Sequence, residues 1–187
     1  MHRHIPAAAL ALSLLPLPAQ ADDITDALNA AIEAYEAGEI QDALAETAYA
    51  TQLLNDLQSQ GLAAFLPDAL PGWTRELADD PATGLGFMGG GSAAEAEYSG
   101  PGGRFTIMMV ADNPMVSAMA GMLGNATVMA TMGRIERINR ESFLSADDEL
   151  SGLIGGRVLI QASGASVDVM SEHLAQIDFD ALADFDG

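Results

Sequence analysis

Cysteine is absent from this chain, lysine is absent as well, and every basic side chain is an arginine. Without cysteine there is no disulfide, no thiolate zinc site and no thiol nucleophile, so stability has to come from packing. Seven arginines face 27 acids, for a net charge of −20. That imbalance repels nucleic acid and anionic membranes, favours solubility and suits cationic partners. The G-x-S-x-G elbow of serine hydrolases is missing too.

Histidine is scarce once the first residues are set apart. "MHRHIPAAALALSLLPLPAQA" has a basic start at Arg3, an apolar run from Ile5 to Leu17, and small residues at Ala19 and Ala21. This order is that of a signal peptide cleaved after Ala21, and it predicts a periplasmic or secreted protein beginning at Asp22. The leader takes one arginine and two of the three histidines, so the mature charge is six minus 27, or −21, and His173 stands alone. No later segment is long and apolar enough to cross a bilayer. About 166 residues (187 minus 21) leave room for one domain or two small ones.

Residues 22–64 read as an acidic helical hairpin. Ile24, Leu28, Ala31, Ile32 and Tyr35 recur at helical spacing, Gly38 sits where a helix would stop, and Ile40, Ala43, Leu44, Thr47, Ala48, Leu54 and Leu57 resume the pattern. Nine acids lie between Asp22 and Asp56 with no base among them. Pro67 and Pro71 then forbid a continuing helix and set a boundary, with a sheet domain over 65–187. Its predicted strands are Trp73–Leu77, Ala94–Ser99, Arg104–Ala111, Ile135–Asn139, Glu141–Ser145, Leu150–Ile154 and Arg157–Ala162. Short turns between them favour antiparallel hairpins. "ASVDVMSEHLAQIDF" (165–179) predicts a closing helix with Ser166 as N-cap. The expected class is α+β, an antiparallel sheet with helices on one face.

"AYEAGEIQDALAETAYA" resembles one tetratricopeptide-type hairpin, with Gly38 at the turn and Ile40, Ala43, Leu44 and Ala50 at its packing positions. The "LPGW" start, the hairpins and the final helix of residues 66–187 resemble the PsbP-like fold of small exported proteins. The second resemblance implies a fold and carries no catalytic residue.

Several patterns suggest chemistry and fail on detail. "GLGFMG" (84–89) matches G-x-G-x-x-G, but "GGS" follows where a dinucleotide site needs a helix. His173, expected on the exposed side of the closing helix, has no adjacent nucleophile. "DFDALADFDG" and "ADDE" offer acids, yet Leu182 occupies a calcium-ligand position. Neither a catalytic residue, nor a metal site, nor a cofactor is assigned.

What is abundant is methionine. "NPMVSAMAGMLGNATVMATMG" (113–133) starts with a capping asparagine and a proline at the first helical position. Met115, Met119 and Met122 fall on one arc of this helix, with Ser117 and Gly124 opposite. Met115, Met119, Met122 and Met129, with Trp73, are expected to line a core or an apolar groove beside the sheet. Thioethers also suit Cu(I), which makes a copper-binding protein the alternative and a hydrolase the second alternative. The sequence thus points to an exported, non-enzymatic binding protein. Its partner would be a protein met by the hairpin or a small apolar ligand held beside the methionines.

Overall fold

The computed structural model describes residues 20–79, 81 and 90–186. The leader up to position 19 and the "GLGFMG" segment lie outside them. The chain divides into two compact units, Met1–Leu53 and Leu54–Gly187.

The first unit holds α1 (Gln20–Glu36) and the start of α2 (Ile40–Ala63). Gly38, at φ +81°, takes the left-handed conformation that stops α1. Its N–H donates to Tyr35 O at 3.1 Å and that of Glu39 to Ala34 O at 2.9 Å, which satisfies the last carbonyls and reverses the chain.

The second unit is a seven-stranded antiparallel sheet in the order β1-β2-β3-β7-β6-β5-β4. Its strands are β1 (Thr74–Leu77), β2 (Ser92–Gly100), β3 (Gly103–Ala111), β4 (Arg134–Ile138), β5 (Glu141–Ala146), β6 (Glu149–Ile154) and β7 (Val158–Ser163). Strands β4 to β7 form a meander through connections of two or three residues, each built on a pair in the left-handed region. These pairs are Asn139–Arg140, Asp147–Asp148 and Gly155–Gly156. Such turns match the natural twist of paired strands. The two aspartates of "ADDE" therefore make a turn, which aspartate tolerates through its short polar side chain, and Glu149 opens β6. In "LPGW", Trp73 N–H donates to Leu70 O at 2.8 Å, and Gly72 at φ +87° follows Pro71 in a type II turn.

Helices cover both faces of the sheet, not one. Alternation along β3 sends Phe105, Ile107 and Met109 into the larger core and Val110 and Met108 to the other side. The larger core is closed by α5 (Val167–Leu174), α6 (Phe179–Ala183) and Leu62 of α2. Leu62 explains why the division falls inside α2 instead of at the proline pair: the last turns of that helix pack with the sheet. The smaller core is closed by α3 (Pro114–Leu123) and α4 (Ala126–Met132), which bend by 88° between them. Asn113 and Asn125 cap these helices, accepting from Met115 N–H at 2.8 Å and Thr127 N–H at 3.0 Å.

The closing helix is shorter than expected. It stops at Leu174, and the chain restarts in α6 with Asp178 accepting from Ala181 N–H at 3.0 Å. Asn139 takes up the freed end, donating to Ala175 O at 2.7 Å. Ser166 stands at the N-cap position without a side-chain capping bond.

Candidate functional site

The residues singled out in the sequence do not meet in one place. Met129 is buried in the smaller core, Met119 is half-buried at its edge, and Trp73 is half-buried against the larger core. Met115 and Met122 are 40% and 39% exposed, so of the two places expected for them, a core or an apolar groove, they are not in the core. The buried residues of α3 are Val116 and Leu123. At about 100° per residue, the inward arc is turned roughly a quarter of a circle from the methionine stripe. Branched Val116 and Leu123 pack there against Ala93, Val110, Leu144 and Leu159. The methionines border that packing from outside.

His173 is also corrected, being fully buried. Its ring lies edge-on among Trp73, Tyr98 and Phe105, with centroids 5.1, 5.1 and 4.9 Å away. Nδ1 donates to Val169 O at 2.9 Å, and Nε2 has no hydrogen-bond partner among the described residues. An imidazole presents apolar ring faces, and the aromatic wall takes it as it would take a hydrophobic side chain. Tyr98 OH donates to Pro67 O at 2.6 Å, and burial pushes this phenol well above its usual range. Beside it Arg75 donates to Leu66 O at 2.9 Å and Pro67 O at 3.1 Å, so the cluster ties the loop after α2 to the sheet. Arg75 also pairs with Asp68 at 3.3 Å, and both line a cleft of about 350 Å³ with Pro67 and Gln176. Among the described residues no group of three or more His, Asp or Glu could hold a metal ion.

A groove with room for a partner is on the hairpin. Leu28, Ile32 and Tyr35 of α1 and Ile40 and Leu44 of α2, with Ala31, Ala43 and Thr47, line an apolar groove of about 550 Å³. Among the residues 22–53 the only buried ones are Ala27 and Ala50. Tyr35 is 69% exposed and Leu44 60%, so these large side chains meet water. They lie on one arc of each helix, whereas buried Ala27 and Ala50 lie on another.

Charge surrounds the groove with one sign. Residues 20–53 contain eight acids and no base. By helical position Glu36 and Glu46 lie about a quarter turn from the groove's centre, and with Glu39, in the turn between the two helices, they form its rim. These groove residues were visible in the sequence as helix periodicity. The missed signal was that the hairpin pairs large apolar residues with only alanine inside, so it has nothing to bury them against.

No protein-family model, curated protein or solved structure matches this chain.

Proposed function

We propose that this is an exported, non-enzymatic binding protein that takes its partner on the hairpin. The observation that carries the reading is a helical unit in which Ala27 and Ala50 are the only buried residues among 22–53, while its large apolar side chains line an open groove. Isolated helices are marginal in water, and most helical stability comes from packing an apolar face. Burying a large apolar side chain stabilises by roughly 1.5–3 kcal/mol in full, so covering five half-exposed ones offers about 1 kcal/mol each. A signal peptide over residues 1–21, as the sequence suggests, supports an extracytoplasmic site for this binding in the same reading. The PsbP-like and tetratricopeptide-like resemblances belong to it as well.

Photo-crosslinking in the native cell tests it. A crosslinking residue at Tyr35 or Leu44 should give an adduct of discrete mass, and one at exposed Glu172 should not. Equal adducts at all three positions, or none, would contradict the reading.

A second reading rests on the exposure of Met115 and Met122, which with Met119 place three thioethers on one arc, a donor set that Cu(I) accepts. Anaerobic Cu(I) titration should then detect binding that disappears when all three become leucine.

A further inference from the structure

The hairpin groove has a chemistry that narrows its occupant, and this inference rests on the binding function proposed above. We infer that the groove receives an amphipathic helix whose apolar stripe is flanked by arginine or lysine. Three observations carry it. First, the lining is a double row: Leu28, Ile32 and Tyr35 recur at i, i+4 and i+7, and Ile40 and Leu44 at i and i+4. A third helix laid between two such rows meets ridges and grooves of matching spacing. The α1 row spans about 10 Å at 1.5 Å per residue, so two turns of a partner helix fill it.

Second, Glu36, Glu39 and Glu46 flank the lining, and no base is present anywhere in residues 20–53. The rim carboxylates have no ion pair within the hairpin, so a cationic flank brings new pairing without breaking any. Third, the same charge disfavours a second copy of this chain as the occupant. Two hairpins facing each other would bring sixteen carboxylates together, eight from each, with no base between them. A partner helix with basic flanks meets both the apolar and the charged demand.

The test uses the full chain and three synthetic helical peptides sharing one leucine stripe, flanked by lysine, glutamine or glutamate. Fluorescence anisotropy of the labelled peptides reads binding, and sedimentation reads the oligomeric state of the chain alone. The lysine peptide should bind at least tenfold more tightly than the glutamine peptide, the glutamate peptide should not bind, and raising salt should weaken the lysine peptide. Leu44→Asp and the milder Leu44→Ala should both weaken it; Leu44 is exposed, so both variants should stay folded, with Trp73 fluorescence unchanged. Equal binding of lysine and glutamine peptides, lost in Leu44→Asp, would overturn the charge inference and leave the groove reading standing. Lysine-peptide binding indifferent to both Leu44 variants would overturn the groove reading as well. A dimer of the chain that dissociates in Leu44→Asp would overturn the inference in favour of self-association.

Discussion

Arg157 holds Asp112 with two parallel hydrogen bonds, Nε to Oδ1 at 3.0 Å and Nη2 to Oδ2 at 2.7 Å. The pair joins the end of β3 to the start of β7, and its third donor, Nη1, reaches Phe185 O at 3.0 Å near the C-terminal end. Gln58 of α2 donates to Asp112 Oδ2 at 3.3 Å. One carboxylate thus gathers three separate stretches of chain around the sheet.

A pH dependence follows from this contact. The Arg157 guanidinium, through its hydrogen bonds first, holds the Asp112 carboxyl below its ordinary value. A carboxyl depressed on folding contributes stability above its unfolded pKa of about 3.9, and the contribution is lost as pH falls through the folded value. Asp112→Asn keeps a residue that tolerates the φ of +54° found there. It should therefore be less stable than the parent at pH 7, with the difference shrinking below about pH 3.9. Urea melts at both pH values check this; a constant difference would refute it.

The glycines under Trp73 give a graded prediction. A Cβ at Gly100 would run into the Trp73 indole, whereas one at Gly102 would stand 3.2 Å from it. Gly100→Ala should cost about 1–3 kcal/mol through forced repacking, and Gly102→Ala less. Trp73 is the chain's one tryptophan, so its emission should shift in the first variant and barely move in the second.

Methionine exposure orders reactivity and stability. Met115, Met122 and Met132 are exposed, and Met109, Met129 and Met170 are buried. Dilute peroxide should convert the first group to sulfoxides well before the second, as peptide mass mapping would record. Met129→Ala should cost about 2–5 kcal/mol, and Met122→Ala within roughly 0.5 kcal/mol.

All seven strands were legible in the sequence, since alternation and two-residue turn signals are local properties. The phase of α3 was not. Its methionines form a clean stripe, but which arc faces inward is decided by the sheet beneath Val116 and Leu123. His173 was missed for a related reason, because only the assembled Trp73, Tyr98 and Phe105 make a polar-looking residue fit the interior. The unit boundary was hidden likewise: Leu62 continues an ordinary helical pattern, and only its place in the core shows where it belongs.

That placement predicts how fragments behave. A fragment starting at Leu54 should melt cooperatively with a strong β signal. One starting at Phe65 lacks Leu62, Gln58 and Ser59, whose Oγ accepts from Ala93 N–H at 3.1 Å. It should melt at lower temperature; equal melting would show that the last turns of α2 add nothing to the sheet.

Hydrogen exchange on the free full-length chain tests the central claim most directly, that the hairpin lacks a core of its own. Amides in residues 24–53 should exchange roughly a hundredfold or more faster than those of β3 and β7, because local opening there exposes almost no buried apolar surface. Protection in the hairpin equal to that of the central strands would contradict the claim. The open groove would then be no reason to expect a partner.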